Sequence, residues 1–500
     1  MSKSAAFVTP GFISLDPAGS LPLYRQLYQA LREAILAGQL KPGSRLPSTR
    51  LFAADLAVSR NTVVNAFEQL IAEGYLEGQV GAGTHVTTDL PDDILNIRPH
   101  APPATVNEPP SDRQPLSARG ALIAQTSVSQ NRHSDSVCPF RAGLPALAEL
   151  PLPIWARLLA RRLRAPADEL LVYGQPAGYR PLREAVAAYL GTARGVRCEA
   201  EQVIIVAGAQ QALDLTARLL LDPGEMVWVE NPGYLGARGA LLAAGARPVP
   251  VPVDQDGLVV ERGMTLAPEA RLVYISPSHQ YPLGVTMSLA RRLALLRWAD
   301  QARAWLVEDD YDSEYRYAGP PLATVQSLDQ KGRVIYIGTF SKVLFPALRL
   351  GYLVVPPDLV QAFVAAKALV DRAAPSLEQA VLADFIAEGH FARHIRRMRL
   401  LYAARQAVLI EAAAQELPGL LEVQPTFAGL HLVGWLPEGV DDRLVSQALA
   451  AAGIEAVSVS SFAMTPLARG GLVLGYAAVS ETQIRQGVKK MAGVLRGLIK

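Results

Sequence analysis

Apolar positions recur at helical spacing from Pro22 through Leu36 and stop at Gly38, which predicts an amphipathic first helix. The turn Lys41 to Pro47 leads to Ser48, a predicted N-cap for a short helix from Thr49 to Leu56. A longer helix follows, carrying Val63, Val64, Ala66, Phe67, Leu70 and Ile71 to Gly74. Tyr75 to Val86 reads as two short strands around a glycine turn at Gly81 and Gly83.

Residues 89–135 break this patterning. Pro91, Pro99, Pro102, Pro103, Pro109, Pro110 and Pro115 interrupt polar sequence without sustained periodicity, which predicts a flexible linker. From Phe140 onward, apolar runs alternate with amphipathic stretches, as in an α/β fold. Val203–Ala207, Met226–Val229, Leu272–Ile275, Trp305–Val307 and Val334–Ile337 read as buried strands. Three parts are therefore expected: a helix–turn–helix with a β-wing over residues 1–88, a linker over 89–135, and an α/β domain over 136–500.

Composition supports this division and excludes other classes. Five hundred residues exceed one core, and 50% hydrophobic with 19% charged residues is globular rather than disordered composition. The net charge of +2 decides nothing about partners, but its distribution does. Lys41, Arg45, Arg50 and Arg60 cluster in residues 41–60 against one acid, Asp55, as phosphate contact requires. No apolar run approaches the ~20 residues of a membrane span, and the opening residues lack a signal-peptide pattern. A soluble cytoplasmic protein is expected. Cys138 and Cys198 form neither metal spacing nor a disulfide framework, so no metal site is expected.

A helix, a turn, a second helix and a wing form the shape that sets a helix in the major groove of DNA. Ser59, Arg60, Asn61 and Thr62 open the second helix with side chains that reach phosphates and base edges. Over residues 20–87 the chain resembles the winged helix-turn-helix of GntR-type regulators, carried by the texts LPSTR and SRNTVVNAFEQL. The resemblance implies that Arg50, Arg60, Asn61, Thr62 and Gly81 face double-stranded DNA. A small helical interaction module is the plainer alternative.

Lys342 lies in Gly338-Thr339-Phe340-Ser341-Lys342, just past a predicted strand, with Arg349 seven residues on. A lysine at a strand exit suits a Schiff base with pyridoxal 5′-phosphate (PLP), and the neighbouring hydroxyls and guanidinium suit its phosphate. Gly208-Ala209-Gln210 opens a helix after a strand, where backbone amides favour an anion. Glu308-Asp309-Asp310-Tyr311 ends another strand with acids, and an aspartate beside the pyridine nitrogen keeps it protonated. Three neighbouring carboxylates are also compatible with a metal, a reading that the later Ser-Lys disfavours.

The order of these motifs resembles fold-type I aminotransferases, the aspartate aminotransferase superfamily. With the winged helix, nearly the whole chain outside the linker resembles the MocR subfamily of GntR regulators, including the type that regulates pyridoxine synthesis. That resemblance implies roles for further residues. Lys342 is the cofactor lysine, Asp309 meets the pyridine nitrogen, Tyr311 the ring 3-oxygen and Tyr234 the ring face. Ala209, Gln210, Thr339, Ser341 and Arg349 surround the phosphate. Tyr173 reaches the phosphate of a neighbouring subunit, which implies a homodimer.

The chain departs from the enzyme pattern twice. Ser276-Pro-Ser-His279-Gln280 replaces an Asn-Pro-Thr-Gly turn, so His279 and Gln280 are expected to take over contact with the ring oxygen. Val473 aligns with the arginine that binds the substrate carboxylate, and Arg469 or Arg238 stands as a candidate substitute. The expected function is a PLP-binding transcriptional regulator whose effector, PLP itself or an amino acid or amine, is sensed at Lys342. Its operator would carry repeated half-sites. The alternatives are an active PLP-dependent aminotransferase with a fused reading head, and a DNA-binding protein whose second domain only dimerises.

Overall fold

The computed structural model describes residues 13–17, 19–79, 83–88, 116–125, 138–164, 168–317 and 322–499. The chain divides into two compact units, Met1–Gln114 and Pro115–Lys500.

In the first unit, helices α1 (Leu23–Leu36), α2 (Thr49–Asp55) and α3 (Arg60–Ala72) precede strands β1 (Leu76–Gln79) and β2 (Gly83–Val86). Their apolar faces meet in one core containing Leu27, Leu31, Phe52, Val63, Phe67, Leu70 and Val86. Ser48 caps α2 by accepting from the Leu51 amide at 3.3 Å, as its position predicts. Strands β1 and β2 pair antiparallel, Leu76 opposite Val86, to make the wing. Leu46 donates its amide to Thr84 at 2.9 Å and Val86 to Ser44, so the segment before α2 joins the wing.

The second unit is built on an eight-stranded sheet, ordered β3-β10-β9-β8-β7-β4-β5-β6. Its strands are β3 (Val203–Val206), β4 (Met226–Asn231), β5 (Arg247–Asp254), β6 (Gly257–Leu258), β7 (Leu272–Ile275), β8 (Trp305–Asp310), β9 (Val334–Thr339) and β10 (Gly351–Val354). From β4 to β9 the ladder is parallel, while β10 runs antiparallel to both β3 and β9. β3, β7 and β9 are buried throughout, which explains their unbroken apolar runs: helices cover both faces of a parallel sheet. A smaller antiparallel sheet holds β11 (Glu422–Val423), β12 (His431–Trp435), β13 (Val457–Ser458) and β14 (Gly471–Gly475), in the order β11-β12-β14-β13.

One element falls where linker was expected. Ala118–Gln125 forms a helix, and Arg119 Nε donates to the Ala243 carbonyl at the end of the helix Leu235–Ala243. Eight residues are too few to be stable alone, so this tertiary contact, which local periodicity does not show, supports the turn. Among the described residues no helix is long and apolar enough to cross a membrane.

Candidate cofactor cavity and DNA-reading helix

Ligands of open α/β sheets lie outside the carboxyl ends of the parallel strands, and there this unit has a cavity of about 200 Å³. Its wall draws on five strand exits. Gly208, Ala209 and Gln210 follow β3, Tyr234 and Leu235 follow β4, and Tyr274 comes from β7. Asp309 and Tyr311 come from the end of β8, and Thr339, Ser341 and Lys342 from the end of β9, with Arg349 just before β10. Nine of the eleven cofactor residues expected within one subunit, all but His279 and Gln280, thus surround one space.

Lys342 Nζ donates to the Gly143 carbonyl at 2.8 Å. Gly143 has φ +73°, and a Cβ there would stand 3.0 Å from Nζ, so glycine keeps room for the lysine. Gly208, at φ +98°, turns β3 into the helix Ala209–Leu220, whose N-cap contributes no side-chain bond. A Cβ on Gly208 would lie 3.7 Å from the Arg349 guanidinium. A guanidinium beside uncapped first-turn amides suits a phosphate.

The three consecutive-looking acids have three separate fates. Asp310 pairs with Arg194 at 2.7 Å and accepts from Tyr336. Burial alone would raise its pKa, but Arg194 and Tyr336 hold it below the usual carboxylate value. Asp312 Oδ2 lies 3.0 Å from His279 Nδ1. Asp309 accepts from the Tyr274 hydroxyl at 2.8 Å through Oδ2, while Oδ1 is buried without a partner. Burial pushes Asp309 up to about 7, against the pull of Tyr274 and Lys342. An unsatisfied carboxylate oxygen on the cavity wall is what a protonated ring nitrogen would complete.

His279 takes a different place from the one expected. It is not on the cavity wall; its Nδ1 lies 3.0 Å from the Tyr311 hydroxyl, so it reaches the cavity only through Tyr311. The physical reason is Asp312, which holds the ring from behind, and Gly429, where a Cβ would fall 2.0 Å from His279 Cε1. Gln280 is also turned elsewhere, donating to the Pro232 carbonyl at 2.8 Å and to Glu230 at 3.3 Å. Buried His431 joins His279 and Asp312 in a group whose ligand-capable atoms lie within 4.8 Å of one another. Tyr173 is 83% exposed, with Arg372 over its ring at 5.1 Å, and does not line the cavity of its own chain.

Neither candidate arginine lines the cavity. Arg469 donates to the Leu436 carbonyl at 2.6 Å and pairs with Glu422 at 2.8 Å. Arg238 lines a separate recess of about 10 Å³. Sequence reasoning missed Ala142, Gly143, Leu235, Tyr274, Tyr281 and Phe462. Gly143 and Phe462 carry no local signal, because only the folded chain brings them to Lys342.

In the first unit, Arg50, Arg60 and Asn61 are exposed and Thr62 is half-buried. Ser59 is the N-cap of α3: its Oγ accepts from the Thr62 amide at 3.1 Å and lies 2.8 Å from the Thr62 hydroxyl. Two residues expected at DNA therefore also hold the start of the helix. Gly81 lies outside the described residues.

The sequence of residues 23–86 matches the gntR family of bacterial regulatory proteins, and residues 139–491 match aminotransferase class I and II. The chain is 42% identical to the probable rhizopine catabolism regulatory protein MocR of Rhizobium meliloti, over 97% of this chain and 96% of that protein. The chain belongs to the MocR-type GntR regulators. Another relative of this MocR-type chain is the pyridoxine biosynthesis transcriptional regulator PdxR of Corynebacterium glutamicum, 30% identical over 95% of this chain and 96% of that one. The fold also matches α-aminoadipate aminotransferase LysN of Thermus thermophilus, solved with N-(5′-phosphopyridoxyl)-L-leucine. That likeness has a TM-score of 0.67 and 30% identity, covering 72% of this chain and 92% of that one. This MocR-type regulator thus joins a GntR reading head to the fold of PLP-dependent aminotransferases.

Proposed function

We propose that this regulator binds PLP at Lys342 and that occupancy of the cavity, by PLP alone or with an amino acid or amine, changes how α3 and the wing bind DNA. The unpartnered Oδ1 of Asp309, on the same wall as Lys342, carries the reading. Asp310 and Asp312 also leave Oδ1 unpartnered, but neither lines the cavity; of the three, Asp309 faces the space that Lys342 faces. Asp309 would hold the pyridine nitrogen, Tyr311 the 3-oxygen and Tyr234 the ring face. The amides of Ala209 and Gln210, the hydroxyls of Thr339 and Ser341, and Arg349 would hold the phosphate. PLP, when bound, supplies an aldehyde that takes up amines.

Two further observations support a regulatory output from a dimer. The helix Leu235–Ala243 begins beside Tyr234 on the cavity wall and ends at the carbonyl that Arg119 holds. One short helix thus spans from the cavity to the segment leading back toward the reading head, a route for occupancy to reach the linker. Leu171, Val172 and Tyr173 are exposed together, 64–83%, as expected of a homodimer face from which Tyr173 reaches a partner's phosphate. The regulator works on chromosomal DNA and hence in the cytoplasm. Weak or half-reaction transamination is the second reading, favoured by the full set of Lys342, Asp309, Tyr311 and Arg349.

Titrating PLP into the purified protein tests the cofactor step. Visible absorbance of lysine-linked cofactor is expected in the wild type and absent in Lys342→Ala, with unchanged circular dichroism. Equal absorbance in the variant would remove Lys342 from its role.

A further inference from the structure

The cavity also discriminates among amines, an inference that rests on the PLP-binding reading above. Among the described residues two cations line it, Lys342 and Arg349. Lys342 is the attachment point of the cofactor, and Arg349 stands beside the helix start that suits the phosphate. Neither is left for a second anion. The rest of the wall includes Ala142, Leu235, Tyr281 and Phe462, and Phe462 meets the Tyr281 ring edge-on at 5.1 Å between centroids.

Behind Phe462 the apolar character continues. Phe462 packs in one cluster with Val433, Val459 and Val473, and Val473 is fully buried between Val433 of β12 and Val457 of β13. The surrounding arginines are committed elsewhere: Arg141 pairs with Glu455 at 3.5 Å, and Arg469 with Glu422. Arg238 lines the small recess that shares Tyr234, Tyr274 and Phe462 with the cavity as a common wall. A carboxylate on the carbon bearing the amine must enter the cavity with that amine. There it would lose water, find no further cation among the described residues of its own subunit and lie in the same enclosure as Asp309.

We infer that the effector of this regulator is a primary amine with no carboxylate beside its amino group, its remaining atoms lying against Tyr281, Phe462 and Leu235. Burying an unpaired carboxylate weakens binding by about ten- to a hundredfold, so amines should outcompete the corresponding amino acids by that factor.

Matched pairs provide the probe: phenethylamine with phenylalanine, tyramine with tyrosine, and tryptamine with tryptophan. Each is titrated into full-length protein preloaded with PLP, reading the visible spectrum and, in parallel, binding to the protein's own upstream DNA. The expected result is half-saturation by the amine at a concentration at least about tenfold below that of its amino acid. Equal or tighter response to the amino acids, or no response to any amine, overturns the inference. Arg238→Met should leave the ratio unchanged; a ratio altered by that variant would show that Arg238 reaches the ligand, and would overturn it as well. Absence of any visible band with PLP alone is the separate failure of the PLP-binding reading, since it appears before an amine is added.

Discussion

Replacing Asp309 by asparagine should make the cofactor-free protein more stable at pH 8. Asp309 is buried, and burial raises its pKa from 3.8 to about 7. The unfolded chain releases this proton near pH 4, whereas the folded chain keeps it to about pH 7. Between those values the folded state holds more protons, so this group's contribution to stability falls as pH rises through the window. At pH 8 the full penalty is present. A displacement of about three pH units, at ~1.36 kcal/mol each, sets an upper bound of ~4 kcal/mol. Asparagine keeps an oxygen for the Tyr274 hydroxyl and has no charge to bury. The five tryptophans, Trp155, Trp228, Trp298, Trp305 and Trp435, all lie in the second unit, so urea unfolding followed by tryptophan fluorescence reads this unit alone. The variant should gain about 1–4 kcal/mol over wild type at pH 8 and almost nothing near pH 4. Adding PLP should reverse the order, because the wild-type carboxylate gains a partner and binding stabilises the state that binds. A variant less stable than wild type at pH 8 without cofactor, or a difference independent of pH, would refute the reasoning.

Three other substitutions separate the parts of the account. Arg60→Ala should weaken binding to upstream DNA about tenfold and lower the salt slope by about one, with cofactor absorbance unchanged; unaltered affinity in a gel-shift titration would move the reading surface away from α3. Ser59→Ala removes the oxygen that accepts from the Thr62 amide and should cost the first unit ~1 kcal/mol, seen as a lower thermal midpoint by circular dichroism with tryptophan fluorescence unaffected. Gly429→Ala puts a Cβ 2.0 Å from His279 Cε1 at φ +95° and should cost ~1–3 kcal/mol while displacing the ring from Tyr311; wild-type stability with a wild-type PLP spectrum would show that His279 has no positioning role.

Local features were legible in the sequence wherever one segment's own pattern decides its structure. The Ser48 cap, the three helices of the reading head and the strands β3, β7 and β9 follow from periodicity and turn chemistry within a few residues. The lysine and aspartate of the cavity were legible because each stands at a strand exit, a position that backbone topology turns toward one site, and Arg349 because it follows Lys342 closely, just before β10. What stayed hidden was set by distant partners. Ala118–Gln125 is helical because of its contact with Leu235–Ala243, not because of its own text. His279 is drawn behind Tyr311 by Asp312, and Gly143 meets Lys342 across 199 residues of chain. Asp309, Asp310 and Asp312 look alike on paper; Tyr274, Arg194 and His279 make them different groups.

The central claim is that a ligand held at Lys342 alters DNA binding by the reading head. Its most direct test measures binding to the protein's own upstream DNA, by footprint and dissociation constant, with and without PLP and an amine, in wild type and in Lys342→Ala. The account predicts a footprint or affinity that changes with ligand in the wild type and is indifferent to it in the variant, both proteins binding DNA. A response of the same size in both would contradict it.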